Sequence, residues 1–403
     1  MAMQTLKIPT PTGHTLDGVI EMPTGLLRGA AVFAHCFTCT KQSKAAVTVS
    51  RALAREGIAC LRFDFTGLGA SEGDFGRAGF ASDISDLIAV SDYLSERFQS
   101  KLLLVGHSLG GAAVLAAASE LGRGKVAAIA TIGAPSDVPH VLHNVKGDHE
   151  AIRRDGSGPV TIGGKQFSLS REFLERTEAV NLLDLVRELR LPFLAMHSPT
   201  DNIVDVAHAG ALFDAAFHPK SFVSLAGADH LLTDSRDADF AASVISTWAE
   251  RYLPPMEDAT HPESGILAQT GHGKFGTEVH TTTHHFVADE PRSYGGEDSG
   301  PTPYDLLNAA LGTCTAMTMK MYADRKGWPL EGTRVLVTHE RDHAVDCEDC
   351  EEGQTVQALK REIEVLGNEL TEDQREKIIA IADKCPVHKT LEGELHIVTS
   401  EKV

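Results

Sequence analysis

A chain of 403 residues is too long for one ordinary domain and long enough for two buried cores. Its hydrophobic fraction of 42% and charged fraction of 23% are those of a globular protein. The net charge of −19 is unevenly shared: residues 256–403 hold 14 Lys and Arg against 28 Asp and Glu, which argues against phosphate backbones and anionic lipid heads as partners. The opening MAMQTLKIPTPTG lacks the apolar run of a secretory signal, and no stretch approaches the roughly 18 apolar residues of a spanning helix. A cytoplasmic location is therefore expected. In a reducing compartment the seven cysteines, Cys36, Cys39, Cys60, Cys314, Cys347, Cys350 and Cys385, read as core residues, metal ligands or redox groups and not as a disulfide framework.

Taken in chain order, short continuous apolar runs alternate with helical patterns through the first 250 or so residues. Strands are predicted at Ala30–Ala34, Ile58–Phe63, Leu102–Val105, Val126–Ile132, Leu191–His197 and Ser221–Leu225. Runs of this kind suit strands buried on both faces of a parallel sheet. Helices are predicted around Ala45–Arg55, Ala81–Arg97, Gly111–Leu121 and Asp237–Tyr252, so a helix-flanked α/β sheet is expected. The stretch 136–190 interrupts the rhythm and carries a hairpin signal around Gly163 and Gly164; it reads as a small cap or an insertion. After Tyr252 a polar, proline-bearing segment, 255–264, reads as a linker. Beyond it come strand-like segments, a long apolar helix, more strands, a second helix and a final strand at Glu394–Thr399.

The strongest chemical signal is LLLVGHSLGG at 102–111, where an apolar strand meets Gly106-His107-Ser108-Leu109-Gly110 and then an alanine-rich helix. This is G-x-S-x-G in the strand–turn–helix setting that lifts a serine hydroxyl clear of a sheet. A serine hydroxyl needs a base to take its proton. Asp201 follows one predicted strand and His230 the next, an order that brings both to the strand ends near Ser108, with Asp205 in reserve. The amide of Leu109 at the helix start is one candidate oxyanion donor, and the amide of Phe37, in the loop His35-Cys36-Phe37-Thr38, is the other.

These residues, with Asp64-Phe65-Thr66-Gly67-Leu68-Gly69-Ala70-Ser71 as a D-x-x-G-x-G-x-S turn, resemble the α/β-hydrolase family over residues 1–254. Many relatives have Gly where this chain has Cys36. The resemblance implies acyl transfer to water, an esterase or thioesterase acting on a small ester, with no cofactor and no metal.

In the second half, GPTPYDLLNAALGTC sets Thr302 and Pro303 at a helix start, with Leu307, Leu311, Cys314, Met317 and Met321 at helical spacing. A capping box of Thr371 and Gln374 opens the next helix, which ends at CPVHKTL. There Cys385 precedes a helix start and has Lys384, His388 and Lys389 near it in sequence, features that lower a thiol's pKa. Both motifs and their order resemble the OsmC/Ohr family over residues 265–403, an α+β domain. The resemblance implies that Cys314 attacks an organic hydroperoxide, that Cys385 resolves it, that a dithiol restores the pair, and that the chain is a homodimer through this domain. The Ohr branch carries a glutamate where Tyr304 stands, with Asp305 beside it. It also uses an arginine to hold the thiolate, and Arg292 is the one arginine between the linker and Cys314. Two enzymes in one chain are thus expected; the alternative is an esterase whose second domain only dimerises or senses redox state.

Three weaker patterns remain. Cys36-Phe37-Thr38-Cys39 is a C-x-x-C on the candidate oxyanion loop, read as small core cysteines or as a pair whose oxidation gates the hydrolase. His339, His343, Cys347 and Cys350 are ligand types zinc accepts, set in an acidic loop between strands. In HTTTHH, strand alternation puts His280 and His284 on one solvated face.

Overall fold

The structure is a computed structural model and describes residues 3–139, 142, 145–162, 164–178, 180–253, 261–343 and 355–401. It divides into two compact units, 1–299 and 300–403. The break lies beyond the 255–264 segment read as a linker from sequence.

Unit one opens with β1 (Met3–Pro9), β2 (Thr15–Glu21), β3 (Gly29–Ala34), α1 (Lys44–Arg55), β4 (Ile58–Phe63), α2 (Phe75–Phe98), β5 (Leu102–His107), α3 (Leu109–Lys125) and β6 (Val126–Ile132). The 136–190 stretch then supplies β7 (Val145–Lys146), α4 (His149–Asp155), β8 (Ser157–Ile162), β9 (Lys165–Ser170), α5 (Arg171–Glu178) and α6 (Leu182–Leu189). The main rhythm resumes with β10 (Phe193–His197), α7 (Ala207–Ala215), β11 (Lys220–Ser224) and α8 (Ser235–Glu250). A meander of β12 (Leu267–Thr270), β13 (Thr277–His280) and β14 (His285–Ala288) follows.

The main sheet has eight strands in the order β1-β2-β4-β3-β5-β6-β10-β11, parallel from β4 onward, with β1 and β2 antiparallel at one edge. Successive residues of each central strand face opposite sides. Val32, Ala34, Leu61 and Leu104 enter one core, while Ala31, Phe33, Cys60 and Leu103 enter the other. Burial on both faces is why these strands read as unbroken apolar runs.

The first two strands escaped the sequence reading because β2 carries acids inside a buried strand. Each acid is neutralised in place: Glu21 Oε1 meets Arg62 Nη2 at 2.6 Å, and Asp17 Oδ1 meets Lys41 Nζ at 2.6 Å. Lys41 also pairs with Asp64, so one ammonium serves two nearly enclosed carboxylates. Lys41→Met would leave Asp64 buried without a counter-charge, while Asp17 keeps Lys7 Nζ at 2.6 Å. It is expected to cost about 3–5 kcal/mol in chemical denaturation, and a loss below about 1 kcal/mol would mean the pairing is solvated.

The insertion is a three-stranded sheet, β7-β8-β9, with three short helices. It seats against α2, where a Cβ at Gly76 would meet the Ser168 carbonyl oxygen at 1.9 Å. Helix α2 also bends at Gly79, whose φ of 67° is open to glycine. The meander β12–β14 packs on the Met22–Arg28 loop: Glu278 accepts from the Leu26 amide at 3.3 Å and from Arg28 Nη2 at 3.2 Å. In place of a solvated face, His280 is fully buried, 5.8 Å ring to ring from His285 and 5.4 Å from His261. The turn Thr281–His284 ends the strand at His280 and breaks the expected alternation, leaving His284 exposed.

Unit two comprises α9 (Pro303–Lys326), β15 (Gly332–His343), β16 (Thr355–Leu366), α10 (Glu372–Ile381) and α11 (Pro386–Glu392). Strands β15 and β16 form an antiparallel pair. A small core of Met319, Ala323, Leu330, Leu370, Ile378 and Ala382 joins α9 to α10. The buried stripe of α9 runs Leu311, Thr315, Met319, Ala323, not through Met317 and Met321, which are 65% and 66% exposed. The final strand expected at Glu394–Thr399 is absent: these residues pair with no strand among the described residues, and Ile397 and Val398 face water.

Candidate active site

Strand β5 delivers Ser108 at its C-terminal end, and α3 begins at the next residue. Ser108 has φ 56° and ψ −125°, a conformation uncommon outside glycine. The turn closes only because its neighbours lack side chains. A Cβ at Gly106 would lie 2.3 Å from the Gly110 carbonyl oxygen, and one at Gly110 would lie 2.4 Å from the carbonyl oxygens of Ala34 and His35.

His230 Nε2 lies 2.9 Å from Ser108 Oγ, and its Nδ1 lies 2.7 Å from Asp201 Oδ2. Asp201 follows β10 and His230 follows β11, so three strand ends converge on one point. The other Asp201 oxygen accepts from the amides of Ile203 and Val204 at 2.8 and 3.0 Å. Burial alone would raise its pKa, but the His230 hydrogen bond and these two amides outweigh it and hold the carboxyl down at about 2. Asp201 is thus an anion whose geometry fixes the imidazole. Asp205 is exposed and accepts from the Ala207 amide at 2.8 Å at the start of α7, which takes it out of reserve.

Phe37 and Leu109 line one recess with Gly110 of the serine turn, together with Thr38, Phe75, Asp83 and Ala113. Burial and the Asp86 carboxylate push the Asp83 carboxyl well above its ordinary pKa. The rings of Phe75, Phe167 and Phe173 cluster with Phe37; Phe75 lies 5.7 Å from Phe37 and 5.0 Å from Phe167. Phe167 and Phe173 belong to the insertion, so that element borders the recess as a cap would.

Below the loop, the Asp64 turn acts as an anchor. Asp64 accepts from the Lys41 amide at 2.7 Å and the Ala70 amide at 3.0 Å, and a Cβ at Gly69 would collide with its carboxyl at 2.1 Å. Cys36 and Cys39 are joined as a disulfide, so of the two readings of this C-x-x-C the free core thiols are not what the structure has. Their loop forms a tight turn that brings the two Cα atoms to 5.3 Å, within disulfide reach. The left-handed residue in this loop is Thr38, with φ 57°, so Cys36 needs none of the glycine freedom its relatives have.

In unit two, Cys385 is buried and caps α11, its Sγ accepting from the His388 amide at 3.3 Å and lying 3.6 Å from Thr315 Oγ1. Burial would raise its pKa, but the His388 amide, Thr315, a hydrogen bond from the Cys314 thiol and the Arg361 charge together lower it. Cys314 is thus among the groups that favour the Cys385 thiolate, and of the two it is the more exposed.

Residues 31–290 match the family model described as alpha/beta hydrolase family, and residues 296–400 match that of OsmC-like protein. The chain belongs to the alpha/beta hydrolase family. Its C-terminal part is an OsmC-like domain. The hydrolase part is 46% identical to the esterase domain of a Rhodothermus marinus protein, covering 62% of this chain and 99% of that one at a TM-score of 0.51. Est1E from Butyrivibrio proteoclasticus, solved with ferulic acid, shares the fold at 21% identity and a TM-score of 0.54, over 61% of this chain and 98% of that one. An uncharacterized Escherichia coli protein, YfhR, is 24% identical over 169 residues, 42% of this chain. That match spans about half, 52%, of YfhR.

Within the hydrolase–OsmC chain, sequence reasoning missed Arg361. From β16 its guanidinium donates to Thr315 Oγ1 at 3.1 Å, the Ala382 carbonyl at 3.1 Å, Asp383 at 2.8 Å and His388 Nδ1 at 3.0 Å. It is the cation beside the thiols, while Arg292 is exposed and belongs to unit one. At the Ohr-branch glutamate position, Tyr304 stacks on His339 at 4.3 Å, and Asp305 is engaged in the Thr302 capping box. Cys347 and Cys350 of the zinc pattern lie outside the described residues. Among the described residues no helix is long and apolar enough to cross a membrane.

Two further histidines, His35 and His107, are enclosed beside the serine turn, and burial lowers each to about pKa 4. The unfolded chain binds those protons near pH 6.5, so stability should fall as pH drops from about 6.5 to about 4. His107→Gln is expected to flatten that fall in urea midpoints measured at pH 7 and pH 4; an unchanged slope would remove His107 from the account.

Proposed function

We propose that unit one is a serine esterase in which Ser108 is the nucleophile, His230 the base and then the acid, and Asp201 the residue that orients it. The observation that carries this reading is the unbroken relay from Ser108 Oγ through His230 to Asp201, at 2.9 and 2.7 Å. Ser108 Oγ attacks the ester carbonyl carbon as its proton passes to His230 Nε2. The amides of Phe37 and Leu109 receive the oxyanion, and the alcohol leaves with the proton from His230. Water, deprotonated by the same nitrogen, then releases the acid and restores Ser108.

The second unit is read as a thiol peroxidase for organic hydroperoxides. Cys314 attacks the terminal peroxide oxygen as thiolate, the alcohol leaves, and a sulfenic acid remains. Cys385 condenses with it, water leaves, and a disulfide forms that a dithiol reduces. The thiolate-favouring setting of Cys385, with Cys314 and Arg361 among its causes, supports this reading over a module that only dimerises. The partners implied are a small ester, an organic hydroperoxide, a dithiol reductant and a second copy of the chain. Steady-state ester hydrolysis and hydroperoxide consumption, compared across wild type, Ser108→Ala and Cys314→Ser, test both halves together.

A further inference from the structure

The Cys36–Cys39 bridge spans the residue whose amide is assigned to the oxyanion, and the loop around it has fixed ends. On one side His35 Nδ1 donates to the Cys36 carbonyl at 2.8 Å. On the other, Lys41 is tied through its amide and its ammonium to the buried Asp64. Between them the backbone makes a tight turn, with the Cys39 amide donating to the Cys36 carbonyl at 3.1 Å. Thr38 sits inside that turn at φ 57°, a region that β-branched residues avoid. Such a conformation persists only where surrounding structure over-determines it.

We propose that the Cys36–Cys39 disulfide is a positioning device for the Phe37 amide, so that ester hydrolysis runs at full rate only while the bridge is closed. This rests on the serine-esterase reading of the same site. With the bridge open, nothing covalent opposes relaxation of Thr38 to negative φ, and the turn that carries Phe37 loosens. The anchors at His35 and Lys41 remain, so the loop shifts without the fold being lost. Substrate binding in the aromatic recess is then largely kept, while stabilisation of the transition state is not.

The chemistry is a two-electron exchange. A dithiol thiolate attacks the Cys39 sulfur, the more accessible of the two because Cys36 is only 5% exposed, and expels the Cys36 thiolate. The reductant's second thiol releases Cys39 and leaves as its own disulfide, two protons completing the Cys36 and Cys39 thiols. An organic hydroperoxide reverses this, taking two electrons and two protons from the thiols and leaving as alcohol and water. Cys60 does not compete, since burial pushes its thiol up to about 12.

The test uses the full chain equilibrated in dithiothreitol redox buffers, with the bridged fraction read by differential alkylation and mass spectrometry at Cys36 and Cys39. For p-nitrophenyl acetate, kcat should fall roughly 10²-fold as the bridge opens, the loss typical of one oxyanion donor, and return when it recloses. KM should stay within about twofold, and affinity for a boronic acid transition-state analogue should fall with kcat. Cys39→Ser should hold the low kcat in every buffer. Unchanged kcat with the bridge demonstrably open, or wild-type kcat in Cys39→Ser, overturns the proposal. Should Cys39→Ser fail to fold, the wild-type titration decides alone. Ester hydrolysis absent at every potential would instead overturn the serine-esterase reading beneath it.

Discussion

Ser108→Ala is expected to lower kcat/KM for p-nitrophenyl acetate by about 10⁴- to 10⁶-fold, leaving the residue of rate that binding and oxyanion stabilisation supply on their own. The size of the effect follows from interdependence. His230 has nothing to deprotonate at 2.9 Å once the hydroxyl is gone, and Asp201 then orients an idle imidazole. The substitution removes one oxygen atom from a turn whose shape depends on Gly106 and Gly110, so folding should be unaffected. Hydroperoxide consumption should be untouched. A variant that keeps wild-type ester hydrolysis would sink the assignment of all three residues at once.

The complementary experiment is Cys314→Ser, which should reduce dithiol-dependent hydroperoxide turnover to background while ester hydrolysis continues. A serine hydroxyl cannot form the sulfenic acid on which Cys385 acts. Cys314 is the partly exposed member of the pair and Cys385 the enclosed one, so a peroxide reaches Cys314 first. If wild type itself turns over no hydroperoxide while the esterase is intact, the OsmC-like domain is a dimerisation or sensing partner. Full turnover in Cys314→Ser would move the attacking role elsewhere.

The candidate triad was legible because each of its parts is local. A nucleophile turn needs glycine on both sides, and an acid and a base at consecutive strand ends need only chain order. Those signals sit within a few residues of Ser108, Asp201 and His230. Arg361 left no such mark. It reaches Thr315 and His388 only because β16 pairs with β15 beneath α9, a relation between segments far apart in sequence. The Cys36–Cys39 pair was visible as C-x-x-C, but expecting a reducing compartment favoured free thiols, and the turn that brings the sulfurs together cannot be seen in the letters. Residues 394–399 failed for the opposite reason. Their apolar alternation is a strand's, yet a strand forms only where another offers hydrogen bonds, and none of the described strands does.

The meander β12–β14 changes where the two units can be cut apart. Thr24 and Gly25 lie in the Met22–Arg28 loop against Gly271, Gly273 and Gly276, so closely that a Cβ on any of the three would lie 2.3–2.5 Å from them. Glu278 accepts from the Leu26 amide and from Arg28 in the same loop. Recombination that moved the OsmC-like half as a cassette beginning at 265 would tear this patch open, stranding the Leu26 amide and Arg28 on one product. A crossover near Ser299 would leave this patch whole. The compact unit that carries the serine turn is therefore longer than its eight-stranded sheet, and the meander belongs to it.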